Sequence, residues 1–187
     1  MKTAKIFSLI TVPLLSCLLA LTALAQDAAD GSFHDDLLDR LVGQWEITAI
    51  AHGRPPDKGI LTAEWVLNHQ FLKIYQKGTA NIPGMNTPFE GMYFIGYDHA
   101  NKHYLAHLVC VWGGDDPTEG LIYGSRTGNK IKLVYKTVHD QGIVQRFTWE
   151  PETKSWHIVS RIAKAGKEEA PFLEISAVPA KLPADRN

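Results

Sequence analysis

The sequence predicts an all-β fold, a closed antiparallel barrel of about ten strands preceded by a short N-terminal helix. Two observations predict it. A Gly-x-Trp step, Gly43-Gln44-Trp45, stands where helical spacing gives way to alternation. Beyond it, short runs of alternating apolar residues continue almost to the end, separated by turn residues. Edge strands invite aggregation, and closing the sheet removes them. A β-sandwich is the competing architecture.

Residues 1–25 read as a secretory signal. Lys2 and Lys5 make a basic start, Ile6 to Leu24 is an apolar run, and Ala23-Leu24-Ala25 offers small residues for cleavage before Gln26. An uncleaved anchor is one alternative, opposed by the polar stretch Gln26 to Asp30 and a run at the short end for a membrane span. Lipidation at Cys17, after Leu14-Leu15-Ser16, is another. The apolar residues that continue beyond Cys17 oppose it. The expected location is therefore secreted or periplasmic, with no stable membrane insertion after cleavage.

Residues 26–32 form a flexible lead, and 33–180 make one domain with one core, followed by a tail at 181–187. The net charge is −1, and loss of Lys2 and Lys5 makes the exported part more acidic. No basic excess supports nucleic-acid binding. With Cys17 removed, Cys110 is the only cysteine, so no intramolecular disulfide can form and packing must supply the stability. A small buried apolar residue is the plain reading of Cys110.

Phe33 to Val42 has helical spacing. Phe33, Leu37, Leu38, Leu41 and Val42 share one face, while Asp35, Asp36 and Asp39 face away. Ser32 stands where a cap belongs. Gly43 lets the chain turn into the first strand, and Trp45 plugs one end of the barrel.

The strands follow in order. Trp45 to Ala51 alternates, and the loop from His52 to Gly59 breaks it. Ile60 to Leu67, a tight turn at Asn68-His69 and Phe71 to Thr79 make a hairpin. Pro83-Gly84 and Pro88 mark a longer loop. Phe89 to Tyr97 and Lys102 to Trp112 come next, broken after Trp112 by Gly113-Gly114-Asp115-Asp116-Pro117. Leu121 to Arg126, Ile131 to Val138, Ile143 to Trp149, Trp156 to Ala163 and Phe172 to Val178 complete the set. The last turn is expected at Gly166-Lys167-Glu168.

Three pieces of the first half resemble a bacterial family of secreted, lipocalin-like domains without established function. They are Leu41-Val42-Gly43-Gln44-Trp45, Glu64-Trp65-Val66-Leu67 running into Phe71-Leu72, and Pro88-Phe89-Glu90-Gly91 continuing to Ile95-Gly96-Tyr97-Asp98 and Tyr104. The resemblance implies a calycin-like barrel and no catalytic residues. Such proteins often carry Trp and Asp in the fifth strand where this chain has Leu108 and Cys110. Many also end with a basic residue after the last strand, where this chain has Ala177-Val178-Pro179. Both differences imply a more apolar interior if those positions face inward.

Alternation assigns the inward faces. It points Tyr123, Ile131, Leu133, Tyr135, Ile143, Phe147, Trp149, Trp156, Ile158 and Leu173 inward, and Arg126, Lys132, Arg146, His157, Arg161 and Glu174 outward. In the fifth strand Tyr104, Leu108, Cys110 and Trp112 are the inward choice. Among these walls Tyr123, Ser125, Tyr135 and Gln145 are polar. They either orient a ligand or satisfy one another and a trapped water. The candidate ligand-binding set is thus Leu108, Cys110, Trp112, Tyr123, Ser125, Tyr135, Gln145 and Phe147.

Other chemistry finds little support. His103 and His107 share a strand face, but their Cα atoms lie about 13 Å apart at strand rise, too far for one metal. His157 sits where some barrels hold haem, yet alternation turns it outward. No Gly-x-Ser-x-Gly or Cys/His arrangement supplies a nucleophile. Asp35-Asp36 and Asp115-Asp116 read as solvated turn acids. Glu64 and Glu90 read as rim residues accepting loop amides. The expected function is binding of a small, mostly apolar molecule inside the barrel, without cofactor or metal. The competing reading is a structural or interaction module whose barrel is filled by its own side chains, and a haem barrel or cavity enzyme stands behind both.

Overall fold

A computed structural model describes residues 32–113, 120–136, 141–164 and 167–181. Contacts divide the chain at Ser32/Phe33, and the barrel lies in Phe33–Asn187. The expected signal at 1–25, most of the expected lead, Asp115-Asp116-Pro117, Gly166 and most of the expected tail lie outside the described residues.

Ten strands form a closed antiparallel barrel in simple up-and-down order. They are β1 Gly43–Ala51, β2 Asp57–Val66, β3 Phe71–Asn81, β4 Pro88–Asp98, β5 His103–Cys110, β6 Gly120–Thr127, β7 Lys130–Lys136, β8 Gln141–Glu150, β9 Ser155–Lys164 and β10 Lys167–Pro179. Each strand pairs with its neighbours in sequence, and β1 closes the ring on β10 from Trp45↔Pro179 to Ala51↔Leu173. Hairpin connections need no crossover, so alternation alone decides which side chains are enclosed.

The expected helix shortens to one 3-10 turn, Leu38–Leu41. Its N-cap position is Leu37, and just ahead of it Asp35 Oδ1 accepts from the Leu37 amide at 2.9 Å and the Leu38 amide at 2.8 Å, so Asp35 ties down the start of the turn. Gly43 has φ +130, a region that favours glycine, so the chain can swing from this turn into β1. Other boundaries move as well, β2 starting at Asp57, inside the expected loop, and not at Ile60. β5 stops at Cys110 because the chain turns through Gly113 at φ +63. β10 starts at Lys167, not Phe172, because register shifts around Pro171 let a residue without an N–H sit in a strand.

The core is the enclosed face. Leu61, Leu72, Ile74, Ile95, Ile122, Ile131, Leu133 and Ile175 are fully buried. Trp45 lies among them, edge-on to Trp149 at 6.4 Å, and its Nε1 donates to the Leu41 carbonyl at 2.8 Å. The β2–β3, β4–β5, β6–β7 and β8–β9 turns gather at the end that the N-terminal segment crosses. The β1–β2 and β3–β4 connections leave from the opposite end.

Candidate functional site

The two ends differ chemically. At the closed end, residues 33–42 form a strap tied to the barrel at several points. Phe33 exchanges contacts with His69, its amide donating to the His69 carbonyl at 3.1 Å and its carbonyl meeting His69 Nδ1 at 2.7 Å. Trp65 Nε1 donates to Asp39 Oδ1 at 2.8 Å, and Trp156 Nε1 donates to the Arg40 carbonyl at 3.3 Å. Phe33 stacks on Tyr97 at 5.3 Å.

The central tie was not expected. Asp35, read as a solvated turn acid, is only 8% exposed. Its Oδ2 accepts from the Tyr104 hydroxyl and from Arg126 Nη1 at 3.2 Å. Arg126 Nη1 also meets Asp36 Oδ1 at 2.6 Å. Burial and the Asp35 carboxylate beside it push the Tyr104 hydroxyl well above the usual tyrosine range. The hydrogen bond to Asp36 raises the already high Arg126 further, and the same bond holds the Asp36 carboxyl below its ordinary value. This end is a latch.

At the opposite end, half-buried apolar side chains surround a buried polar layer in the manner of a cup. Its floor holds the polar groups of the interior. Tyr135 donates to Gln145 Oε1 at 2.7 Å, and Gln145 Nε2 donates to Ser160 Oγ at 3.1 Å and to the Tyr93 hydroxyl at 3.4 Å. Gln145 stands on β8 and Tyr93 on β4, nearly opposite in the ring, so this chain of bonds crosses the lumen. Beneath it Phe147 meets Tyr93 edge-on at 6.2 Å. Leu108, opposite Tyr93, and Gln76, opposite Gly91, are buried as well.

Above the floor the enclosed face changes. Ala49, Phe89, Cys110, Ile143 and Leu173 continue the inward phase of their strands but are half-buried, the state of side chains lining a mouth. Gly91 makes room for the Phe89 ring on the β4 side. A Cβ there would stand 3.0 Å from the Phe89 ring and 3.2 Å from Cys110 Cβ. The wall is apolar and the floor is polar, a common division in small-molecule sites.

Of the eight candidate residues, the structure gathers five. Leu108, Tyr135, Gln145 and Phe147 are buried in the interior, and Cys110 lines the mouth. Trp112 is on the rim instead, 46% exposed beyond the end of β5, with its ring 5.5 Å from Phe89. Tyr123 and Ser125 face outward, a correction of the expected phase. In β6 the enclosed positions are Ile122, Gly124 and Arg126. A Cβ on Gly124 would strike the Lys132 carbonyl and the Leu133 side chain, and Arg126 is held by buried Asp35. Leu121-Ile122-Tyr123 is apolar on both faces, so alternation alone has no purchase there.

Three cup residues escaped the sequence reading. Gln76 and Ser160 are short polar interruptions at enclosed positions of β3 and β9, a detectable signal once the phase is known. Phe89 carried its signal in the family-like Phe-Glu-Gly piece. The expected loop-amide role of Glu64 and Glu90 is also corrected. Glu64 pairs with Lys73, and Glu90 accepts from Tyr75 at 2.8 Å and Lys77 at 2.9 Å, all on the outer face. Those partners, Lys77 first, hold the Glu90 carboxyl below its usual value. His157 lies on the outer face, 3.3 Å from Glu174. Among the described residues no cluster of three His, Cys, Asp or Glu side chains could hold a metal ion.

Residues 31–115 match the family described as "Protein of unknown function (DUF1579)". The matched stretch runs from the strap through β5 and contains all three pieces of the resemblance noted above. No curated protein matches the chain. Among solved structures, a redesigned beta barrel aligns with 80% of this chain and 100% of its own, at 11% identity and a TM-score of 0.43. That likeness is too loose to inform the site.

Proposed function

We propose that this protein is exported and captures a small, mostly apolar molecule in the cup at the open end of the barrel. One observation carries the reading: a half-exposed apolar ring of Ala49, Phe89, Cys110, Ile143 and Leu173 stands above a sealed polar floor. Apolar surface left partly wetted within a concave wall gains by covering itself. The bonds from Tyr135 through Gln145 to Tyr93 cross the lumen beneath this ring. The cup suits a ligand of medium length, lying against the ring with any polar group toward Gln145, Tyr135 and Gln76.

The same cross-lumen bonds favour a second reading, a barrel filled by its own side chains that serves as a structural module. Titration with a fluorescent medium-chain fatty acid separates the two. Under the binding reading the signal saturates at one probe per chain, and a medium-chain alcohol competes. Leu173→Asp, which places a charge on the ring, weakens binding at least about tenfold, equivalent to about 1.4 kcal/mol. A linear, non-saturating response up to the probe's solubility limit would leave the filled module as the function. Native mass spectrometry of the protein from its own host shows a retained ligand under the first reading and the bare chain, beginning at Gln26, under the second.

A further inference from the structure

One position in the wall of the cup is not apolar. Asp57 opens β2 on the enclosed phase that Gly59, Leu61 and Ala63 continue, and it is half-buried. Its Oδ1 accepts from the Thr79 amide at 3.3 Å, the Thr79 hydroxyl at 3.0 Å and the Ala80 amide at 2.9 Å. Those bonds tie β2 to β3 and hold the carboxylate in place. They leave Oδ2 unused. That oxygen lies where a side chain on Gly78 would stand, 2.5 Å from the position of its Cβ. Gly78 continues the enclosed phase of Leu72, Ile74 and Gln76, so Oδ2 sits on the inner side of the wall. Among the described residues no cation pairs with it.

Gln76 is a second, independent observation. It is only 7% exposed and faces the lumen, yet its amide makes no hydrogen bond among the described residues. Gln145, buried to the same degree, is bonded through both ends of its amide. Among the described residues, the side-chain polar atoms that lack a partner and are sealed from water are His103 Nε2 and Trp149 Nε1. Gln76 and Asp57 Oδ2 lack a partner but are not sealed, so both meet space that water enters. Buried polar groups are as a rule bonded. These two are held ready for a partner from outside.

We propose that the cup takes an amphiphile whose head is a protonated primary amine, the nitrogen donating to Asp57 Oδ2 and Gln76 Oε1 while the tail covers Cys110, Ile143 and Leu173. This names a ligand class for the cup and rests on reading the cup as a binding site. Gly78 and Gln76 are neighbours on one face of β3, about 6.6 Å apart at strand rise. An ammonium carries only donors, and its bonds to oxygen run about 2.7–2.9 Å, so one nitrogen can serve both side chains. A carboxylate head meets a like charge at Asp57. The basic side chain on the enclosed phase at the rim, Lys164, is exposed and lies 3.6 Å from Glu169. A fatty acid therefore keeps its head in water and gains from its tail alone. An alcohol can use Gln76 but leaves the charge of Asp57 unmatched.

Calorimetric titration of the purified protein with octylamine, octanol and octanoic acid at neutral pH tests this. The amine binds at one per chain, at least about tenfold tighter than the alcohol, and the acid binds weakest. Raised salt weakens the amine and leaves the alcohol unchanged. Asp57→Asn keeps an oxygen for Thr79 and Ala80, retains the wild-type melting point and brings the amine down to the affinity of the alcohol. Gly78→Ala, whose Cβ claims the place of Oδ2, lowers the amine independently. An alcohol or acid that binds as tightly as the amine to the wild type overturns the proposal and leaves the cup as a binding site. So does an amine preference that survives both substitutions. Absence of saturable binding by all three overturns both readings.

Discussion

Replacing Asp35 with Ala tests the closed end most directly. The Asp35 carboxylate accepts from two backbone amides, one buried hydroxyl and one guanidinium. Losing an N-terminal cap costs about 1 kcal/mol. Leaving the Tyr104 hydroxyl buried without its acceptor costs about 1–3 kcal/mol. Arg126 keeps Asp36 at 2.6 Å, so its share of the loss is small. The expected destabilisation is about 3 kcal/mol, read from guanidinium melts at neutral pH. At about 2–4 °C per kcal/mol for a domain of this size, the melting point falls by about 6–12 °C. Tyr104→Phe completes a double-mutant cycle. If the two groups act through their shared bond, their coupling is about 1–2 kcal/mol. A loss below about 1 kcal/mol for Asp35→Ala, or additive effects in the cycle, would refute the latch.

Two further predictions concern the same end. Trp45→Ala removes a buried ring and the donor to the Leu41 carbonyl, so it destabilises by roughly 3–5 kcal/mol; a loss under about 1 kcal/mol in denaturant melts contradicts its place as a plug. The Tyr104 hydroxyl is raised above 10.0 in the folded barrel, so its contribution is complete below pH 10 and lost as pH rises through the folded value. Stability therefore declines more steeply above pH 10 in the wild type than in Tyr104→Phe, and equal slopes in alkaline melts would contradict the shift.

The strands were legible because a barrel of hairpins asks little beyond alternation and turns. Trp156 and Ile158, and Ile131 and Leu133, announced their faces, since His157 and Lys132 stood between them. β6 did not, because Leu121 and Tyr123 are as apolar as Ile122. Only packing against Leu133 and Asp35 selects its inward side. That one difference of phase moved Tyr123 and Ser125 from the expected site to the outer wall.

The ends show the same division. A Gly-x-Trp step and a helical apolar stripe sufficed to place a plug and a strap, because both depend on local backbone freedom and spacing. The strap's acids could not be sorted locally. Asp35 and Asp36 are chain neighbours with the same chemistry, yet one is buried under Tyr104 and the other remains in water. Amino-acid order decided the strands, the turns and the apolar character of the interior, all set within a few residues. The cross-lumen floor of Tyr93, Tyr135, Gln145 and Ser160, the half-wetted ring above it and the buried Asp35 latch arise only when strands distant in the chain close around a common axis. Which polar groups meet there depends on register and shear, which no local pattern encodes.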